Sequence, residues 1–283
     1  MTLLQSERPA SPGSQAKEGA PRDGARPLLV VRDVSRRFVT SRHNTIAVEG
    51  VNLEIAAGEF VCVAGPSGCG KSTLLNLIAG LDKPDTGELL FDDKPIKIPG
   101  AERAVVFQEP ALFPWLNVRS NVEFGLKIKG VPKAERREIV AKHLALVHLE
   151  KFEKAFIHEL SGGMKQRVQL ARALAVEPRM LLMDEPFAAL DAQTRDRLQF
   201  ELQEIWARTG TTIMFITHNV REAAILADRV VVMSPSPGRI KSELRVPLPR
   251  PRLPDTHEIA DYAHEVRAQL DPSPIERSTR DVD

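Results

Sequence analysis

The sequence predicts an α/β fold with a parallel-sheet core, a leading β region and an inserted helical lobe, and three observations lead there. Apolar runs at residues 60–64 (FVCVA), 180–183 (MLLM), 212–217 (TIMFIT) and 230–233 (VVVM) lack polar alternation, as expected of parallel strands covered on both faces. A helical pattern stands between two of them: over 192–208, Leu198, Leu202, Ile205 and Trp206 recur at i, i+4, i+7 and i+8. Over 118–175 helical spacing dominates, with Leu144, Val147 and Leu149 following the charged stretch 133–142.

In chain order, residues 1–27 are rich in Pro, Gly, Ala, Ser and charge and read as a disordered tail. Residues 28–39 and 51–55 read as strands of the leading β region. The strand 60–64 ends in a glycine-rich loop, and 72–81 follows as a short helix. Residues 87–91 and 104–107 are further strands. After Ile240 the run VPLPRPRLP reads as extended, and 257–270 as a short helix.

Bulk properties narrow the function. The chain has 283 residues, 42% of them hydrophobic, enough for one large domain or two joined lobes. Its 39 Lys plus Arg against 38 Asp plus Glu give a formal net charge of +1, which points away from a general nucleic-acid binder. No apolar run reaches the roughly 18–20 residues that cross a bilayer, so a cytosolic protein is expected, with any membrane role coming through a partner. Two cysteines, Cys62 and Cys69, argue against a disulfide framework. Cys62 reads as a buried strand residue. Cys69 lies in the glycine loop, where a helix end and Lys71 favour its thiolate.

The loop Gly65-Pro66-Ser67-Gly68-Cys69-Gly70-Lys71-Ser72-Thr73 fits the pattern G-x-x-x-x-G-K-[ST] between a strand and a helix. Its glycines let backbone N–H groups wrap phosphates, Lys71 reaches the β- and γ-phosphates, and Ser72 ligates Mg²⁺. Asp184 and Glu185 end the strand MLLM, at the edge where open α/β sheets bind ligands. Asp184 suits the Mg²⁺ side, and Glu185 is placed to polarise a water against the γ-phosphate. Gln108, after the strand VVF, reads either as an exposed amide or as a contact to Mg²⁺ or the attacking water. His218 follows TIMFIT, a place where a lone His is more often structural, and Asn219 with Glu222 resembles a capping box that fixes it.

A second anion-seeking segment, LSGGMKQR at 160–167, has bare glycine N–H groups at a helix start but no lysine of the first kind. Together with the glycine loop, Gln108, MDE, Ala189-Leu190-Asp191 and His218, it gives the order and approximate spacing of the ATP-binding-cassette ATPases, which the chain resembles over residues 28–245. The stretches FQEPALFPWLNVRSNV, MDEPFAALDAQTR and THNVREAAILADRVVVMSPSPGRI are similar to the ATPase subunits of bacterial nitrate, sulfonate and taurine importers.

That resemblance implies a P-loop ATPase with an N-terminal antiparallel β region, a helical subdomain over 110–177 and an extension over 246–283. It implies ATP and Mg²⁺ as cofactors, with Glu185 and His218 catalytic. It also implies a head-to-tail dimer in which Ser161, Gly162, Gly163, Met164 and Asp191 complete the partner's nucleotide site. Met164 stands where the wider family has glutamine, and Asn219 where it has aspartate. Phe38 takes either the nucleobase-stacking place or a core position. The implied partners are membrane permease subunits, touched through residues 109–115, and indirectly a periplasmic binding protein. The implied location is the cytoplasmic face of the inner membrane, and nucleic acid is not among the partners. Two-cassette soluble ATPases, an exporter half and a small-molecule kinase are the rival readings. The single cassette and the lack of a sustained heptad pattern weigh against the first and the LSGGM segment against the kinase, while a separate exporter half stays open.

Overall fold

The structure, a computed structural model, describes residues 26–39 and 44–270. The expected tail over 1–27 lies outside the described residues except for Arg26 and Pro27.

The chain opens with two long antiparallel strands, β1 (Pro27–Val39) and β2 (Asn44–Ala56). β2 begins earlier than the apolar pattern suggests, because residues 44–50 are mostly exposed or half-buried and pair through the backbone with the end of β1. The buried strand β3 (Phe60–Ala64) leads into helix α1 (Lys71–Ala79). β4 (Thr86–Phe91) and the short β5 (Lys94–Pro95) complete an antiparallel sheet of order β2-β1-β4-β5.

The second sheet begins with β6 (Arg103–Val106). The helices α2 (Val118–Ile128), α3 (Lys133–Leu146) and α4 (Gly162–Ala175) follow, and β7 (Met180–Asp184) returns to the sheet. Then come α5 (Ala192–Thr209), β8 (Thr212–Thr217), α6 (Val220–Leu226), β9 (Arg229–Met233), β10 (Ile240–Arg245) and α7 (His257–Leu270). The sheet order is β10-β9-β3-β8-β7-β6, parallel throughout except for the antiparallel edge strand β10. β10 is not among the expected strands, and none of its residues but the flanking Val246 is fully buried, so it carries little hydrophobic signal.

The continuous apolar runs have the expected cause. In β3, Phe60, Cys62 and Ala64 face one core, with α4 to α7, while Val61 and Val63 face another, with α1 and the antiparallel sheet. The segment after β10 joins the first core. Arg252 is buried and donates to the carbonyls of Ala224 (3.0 Å) and Ala227 (2.5 Å) at the end of α6. Ile259, Tyr262 and Val266 of α7 are buried in the same core. Every strand of the parallel set ends at one edge, with Ala64 opposite Thr217 and Asp184 opposite Ile216. Open parallel sheets bind ligands at that carboxyl edge.

Candidate active site

The glycine loop leaves β3 and turns directly into α1. Gly68 and Gly70 have φ of 77° and 93°, a region that side chains resist. A Cβ on Gly65 would lie 2.6 Å from Cys69 Sγ, and one on Gly70 would strike the Ala47 carbonyl, so both positions need the bare backbone. Gly70 caps α1 without a side chain, which leaves the first-turn N–H groups directed at the loop's concave side. Lys71 is buried, and its Nζ donates to the carbonyls of Gly65 (2.9 Å) and Pro66 (3.0 Å).

The neighbouring ends of β7 and β8 bring two carboxylates and an imidazole to this cradle, beside the Ser72 hydroxyl of α1. Ser72 Oγ donates to Asp184 Oδ1 at 3.1 Å. Burial pushes the Asp184 carboxyl up, opposed by the Ser72 hydrogen bond and Lys71 and assisted by Glu185. Glu185 Oε1 stands 4.0 Å from Lys71 Nζ, and its Oε2 lies 2.8 Å from His218 Nδ1. The Glu185 backbone has φ of 43°, and its N–H donates to the Ile216 carbonyl at 3.1 Å. Such a non-glycine backbone costs about 1–3 kcal/mol, and the surrounding sheet edge holds it. Gln108 is exposed two residues past the end of β6. Phe38 is 41% exposed, which removes the core reading. It pairs in register with Thr45, two residues before the Ala47 carbonyl that abuts Gly70, and the Arg36 guanidinium lies 4.9 Å from its ring.

The second segment is built differently. Ser161 caps α4, its Oγ accepting from the Met164 N–H at 3.3 Å. A Cβ on Gly163 would lie 2.7 Å from the Thr194 methyl, and one on Gly162 3.6 Å from Leu190. Asp191 caps α5, its Oδ1 accepting from the Thr194 N–H at 2.9 Å, which holds its carboxyl below the usual range. Residues 161–164 and 190–194 thus pack together. Among the described residues, no hydrogen bond or ion pair joins 161–164 to the glycine loop.

The model of the family described as "ABC transporter" matches residues 48–188. The chain is 50% identical over 245 residues to an uncharacterized ABC transporter ATP-binding protein of Methanocaldococcus jannaschii, covering 87% of this chain and 92% of that one. The chain belongs to the ABC transporter ATP-binding proteins. It is 51% identical over 221 residues to a nitrate import ATP-binding protein of Synechocystis sp., covering 78% of this chain and 83% of that one. It is 52% identical over 204 residues to a taurine import ATP-binding protein of Chromobacterium violaceum, covering 72% and 78%. A dimeric ATP-binding cassette in a post-hydrolysis state, bound to ADP and Pi, superposes with a TM-score of 0.69 at 32% identity, covering 77% of this chain and 99% of that one. Binding and hydrolysing ATP is the chemistry of this ABC subunit.

Two sequence expectations for the ABC subunit are corrected by its geometry. Cys69 is 1% exposed, and burial pushes its thiol up more than the neighbouring Lys71 pulls it down, so the thiolate is disfavoured. Asn219 and Glu222 form no capping box. Asn219 Oδ1 accepts from the Arg221 N–H (3.0 Å), but the Asn219 N–H donates to Thr217 Oγ1 (2.9 Å), and Glu222 turns inward.

Several positioning groups escaped the sequence reading. Asn121, fully buried in α2, accepts from the Phe113 N–H (2.9 Å) and donates to the carbonyls of Phe113, Leu116 and Asn117 (3.1, 3.2 and 3.1 Å), which shapes residues 113–117. Phe113 is half-buried, with its ring 4.4 Å from Phe124, whereas Trp115 is 71% exposed. Gln166 of α4 donates to the Gln108 carbonyl at 3.0 Å, and Gln169, with its amide turned so that each atom meets a complementary partner, brackets the Phe107 backbone, accepting at 2.8 Å and donating at 3.3 Å. An amide inside an apolar helical pattern was the available signal for Asn121 and Gln169.

Proposed function

We propose that this ABC subunit is the motor of a bacterial importer for a small anion, of the aliphatic sulfonate, taurine or nitrate kind. Nitrate and taurine import relatives stand at about the same identity to the chain, so the anion class is supported and no single member is favoured. The observation that carries the reading is the convergence of Lys71, Ser72, Asp184, Glu185 and His218 at one sheet edge.

In this reading residues 65–73 bind the ATP phosphates, with Phe38 against the adenine. Mg²⁺ fits the donor set: one hydroxyl and one carboxylate, Ser72 and Asp184, suit an ion that keeps waters and takes phosphate oxygens. Among the described residues no group of three or more His, Cys, Asp or Glu forms a self-sufficient metal cage, which agrees with such a shared site. When bound, Mg²⁺ supplies charge neutralisation at the β- and γ-phosphates. Gln108 would contact the ion or the attacking water. Lys71 shifts from its loop carbonyls to the phosphates, Glu185 takes the proton of the attacking water, and His218 holds Glu185 and senses the γ-phosphate.

Ser161, Gly162, Gly163, Met164 and Asp191 would complete the nucleotide site of a second copy. Residues 109–115, led by the exposed Trp115, would meet permease subunits at the cytoplasmic face of the membrane, and a periplasmic binding protein would act through them. No described helix is long and apolar enough to cross a membrane, which suits a peripheral subunit.

Glu185→Gln tests the catalytic part. The amide accepts no proton, so ATP affinity stays and turnover falls by roughly 10²-fold or more. Near wild-type turnover would remove Glu185 from this role. The transport part is tested by ATP hydrolysis of the reconstituted importer, which should rise with the binding protein loaded with a sulfonate, taurine or nitrate and with no other class of ligand.

A further inference from the structure

Two loops flank the reacting centre: residues 185–191 after β7 and residues 218–219 after β8. Both are tied underneath to one side chain that the reading above does not use. Glu222 of α6 is 5% exposed. Its Oε2 accepts from Thr217 Oγ1 at 2.5 Å, and that hydroxyl in turn accepts from the Asn219 N–H at 2.9 Å, so the backbone is pinned on both sides of His218. Its Oε1 accepts from Gln199 Nε2 at 3.3 Å and lies 3.8 Å from Arg195 Nε. Arg195, in the first turn of α5, donates to the carbonyls of Leu190 (2.7 Å) and Phe187 (3.4 Å), directly downstream of Glu185.

A carboxylate buried this deeply is costly unless its partners satisfy it, and an apolar residue would pack there at lower cost. Burial pushes its carboxyl up, while the Thr217 hydrogen bond, Arg195, Gln199 and His218 oppose that shift. Helix capping does not account for it, since the Asn219 N–H is already taken by Thr217. Its contacts go instead to Thr217 at the end of β8 and to Gln199 and Arg195 of α5, and through Thr217 and Arg195 to the two loops that carry His218 and Glu185; a satisfied buried network of this kind rigidifies what it joins.

We propose that Glu222 is a positioning residue for ATP hydrolysis: with Thr217 and Arg195 it holds the two loops in register, so that His218 Nδ1 stays 2.8 Å from Glu185 Oε2. The proposal rests on the catalytic reading of Glu185 and His218 given above. It gives α6 and the start of α5 a task in catalysis without contact to the nucleotide.

The test is a double-mutant cycle on the full chain, with ATP hydrolysis measured as single turnover at excess protein so that slow variants register. In Glu222→Gln the amide oxygen still accepts from Thr217, but its NH₂ faces the donors of Arg195 and Gln199, so the loop after Glu185 loosens. The expected result is a fall in the hydrolysis rate of roughly tenfold, with ATP affinity within about twofold of wild type, as for small misplacements of reacting groups. In a His218→Ala background the same substitution should change the rate by less than about twofold, because the His218–Glu185 contact that the network holds in register is already gone. Equal losses in both backgrounds, or no loss in the wild-type background, would overturn the proposal and leave the catalytic reading standing. An unchanged rate in His218→Ala alone would overturn the catalytic role of His218 and the proposal with it. If Glu222→Gln does not fold, Arg195→Lys takes its place in the cycle. It keeps the charge at a part-exposed position but loses the fork that spans two carbonyls, and the same non-additivity is expected. Additive losses there would equally overturn the proposal.

Discussion

The carboxyl edge of the parallel sheet and the helical lobe present their functional groups in opposite ways. At the sheet edge the polar groups meet one another: Lys71 is buried, Ser72 meets Asp184 at 3.1 Å, and Glu185 meets His218 at 2.8 Å. On the lobe, Ser161 hydrogen-bonds among the described residues within its own helix, and Trp115 is 71% exposed. The glycines at 162 and 163 pack against 190–194 and not against the cradle. One region joins its groups to one another within the chain. The other, in the proposed reading, is a set of half-sites to be completed by partners. In the proposed reading a single subunit has one phosphate cradle and, separately, the signature segment for another.

The largest effect that would break this contrast is Lys71→Ala. Removing a buried cation that faces phosphates costs about 2–5 kcal/mol, so ATP affinity of the isolated chain should fall by roughly 30-fold or more. Ser161→Arg should leave that affinity within about twofold while abolishing an ATP-bound dimer. Binding titrations with both variants check this pair. A parallel loss of affinity in Ser161→Arg would place the signature segment in its own chain's site.

The lobe offers a smaller test. The half-buried Phe113 packs on Phe124, so Phe113→Ala should lower the stability of the chain itself by about 1–2 kcal/mol. Trp115→Ala should leave the melting curve within about 0.5 kcal/mol of wild type and weaken association with the permease. The reverse pattern, measured by thermal unfolding and co-purification, would exchange the two residues' roles.

The smallest effect concerns Cys69. Burial holds its thiol above the ordinary value of 9.0, so its reactive thiolate is scarce at pH 8, less than about a tenth of the population, and grows only as pH rises through that raised value. Alkylation of the Cys69 peptide, followed by mass spectrometry, should be slower than that of an unfolded control at pH 8, and ATP should slow it further. Labelling as fast as the control would contradict the buried loop geometry.

How much of this was legible in sequence differs between the same two regions. At the sheet edge, motif and neighbouring strand fix one another: an apolar run, then GPSGCGKST, or MLLM, then Asp184-Glu185, leaves few ways to place the side chains. The first boundaries of β3 and β8 and the whole of α7 match the apolar pattern because burial is one-sided or complete there. β10 was missed because an edge strand has no buried face to mark it, and β2 was shortened for the same reason. The reactivity of Cys69 was misread because a lysine two residues away is visible in the sequence, while the Gly65, Met233 and Gly238 backbones that bury the loop are not. Glu222 looked like a local cap at i+3, whereas its partners Gln199 and Arg195 lie in another helix. Long-range polar contacts of that kind have no sequence period.

The central claim, that each nucleotide lies between the cradle of one chain and the signature segment of another, is tested most directly by mixing two damaged chains. One carries Lys71→Ala and the other Ser161→Arg, both with Glu185→Gln so that bound ATP is not hydrolysed. Each variant alone spoils both sites of its dimer. In the mixed dimer one site collects both defects and the other pairs an intact cradle with an intact signature segment. Purified heterodimer should retain one ATP per dimer, against two for the Glu185→Gln control. Heterodimer that retains none, beside a control that does, would contradict the shared site.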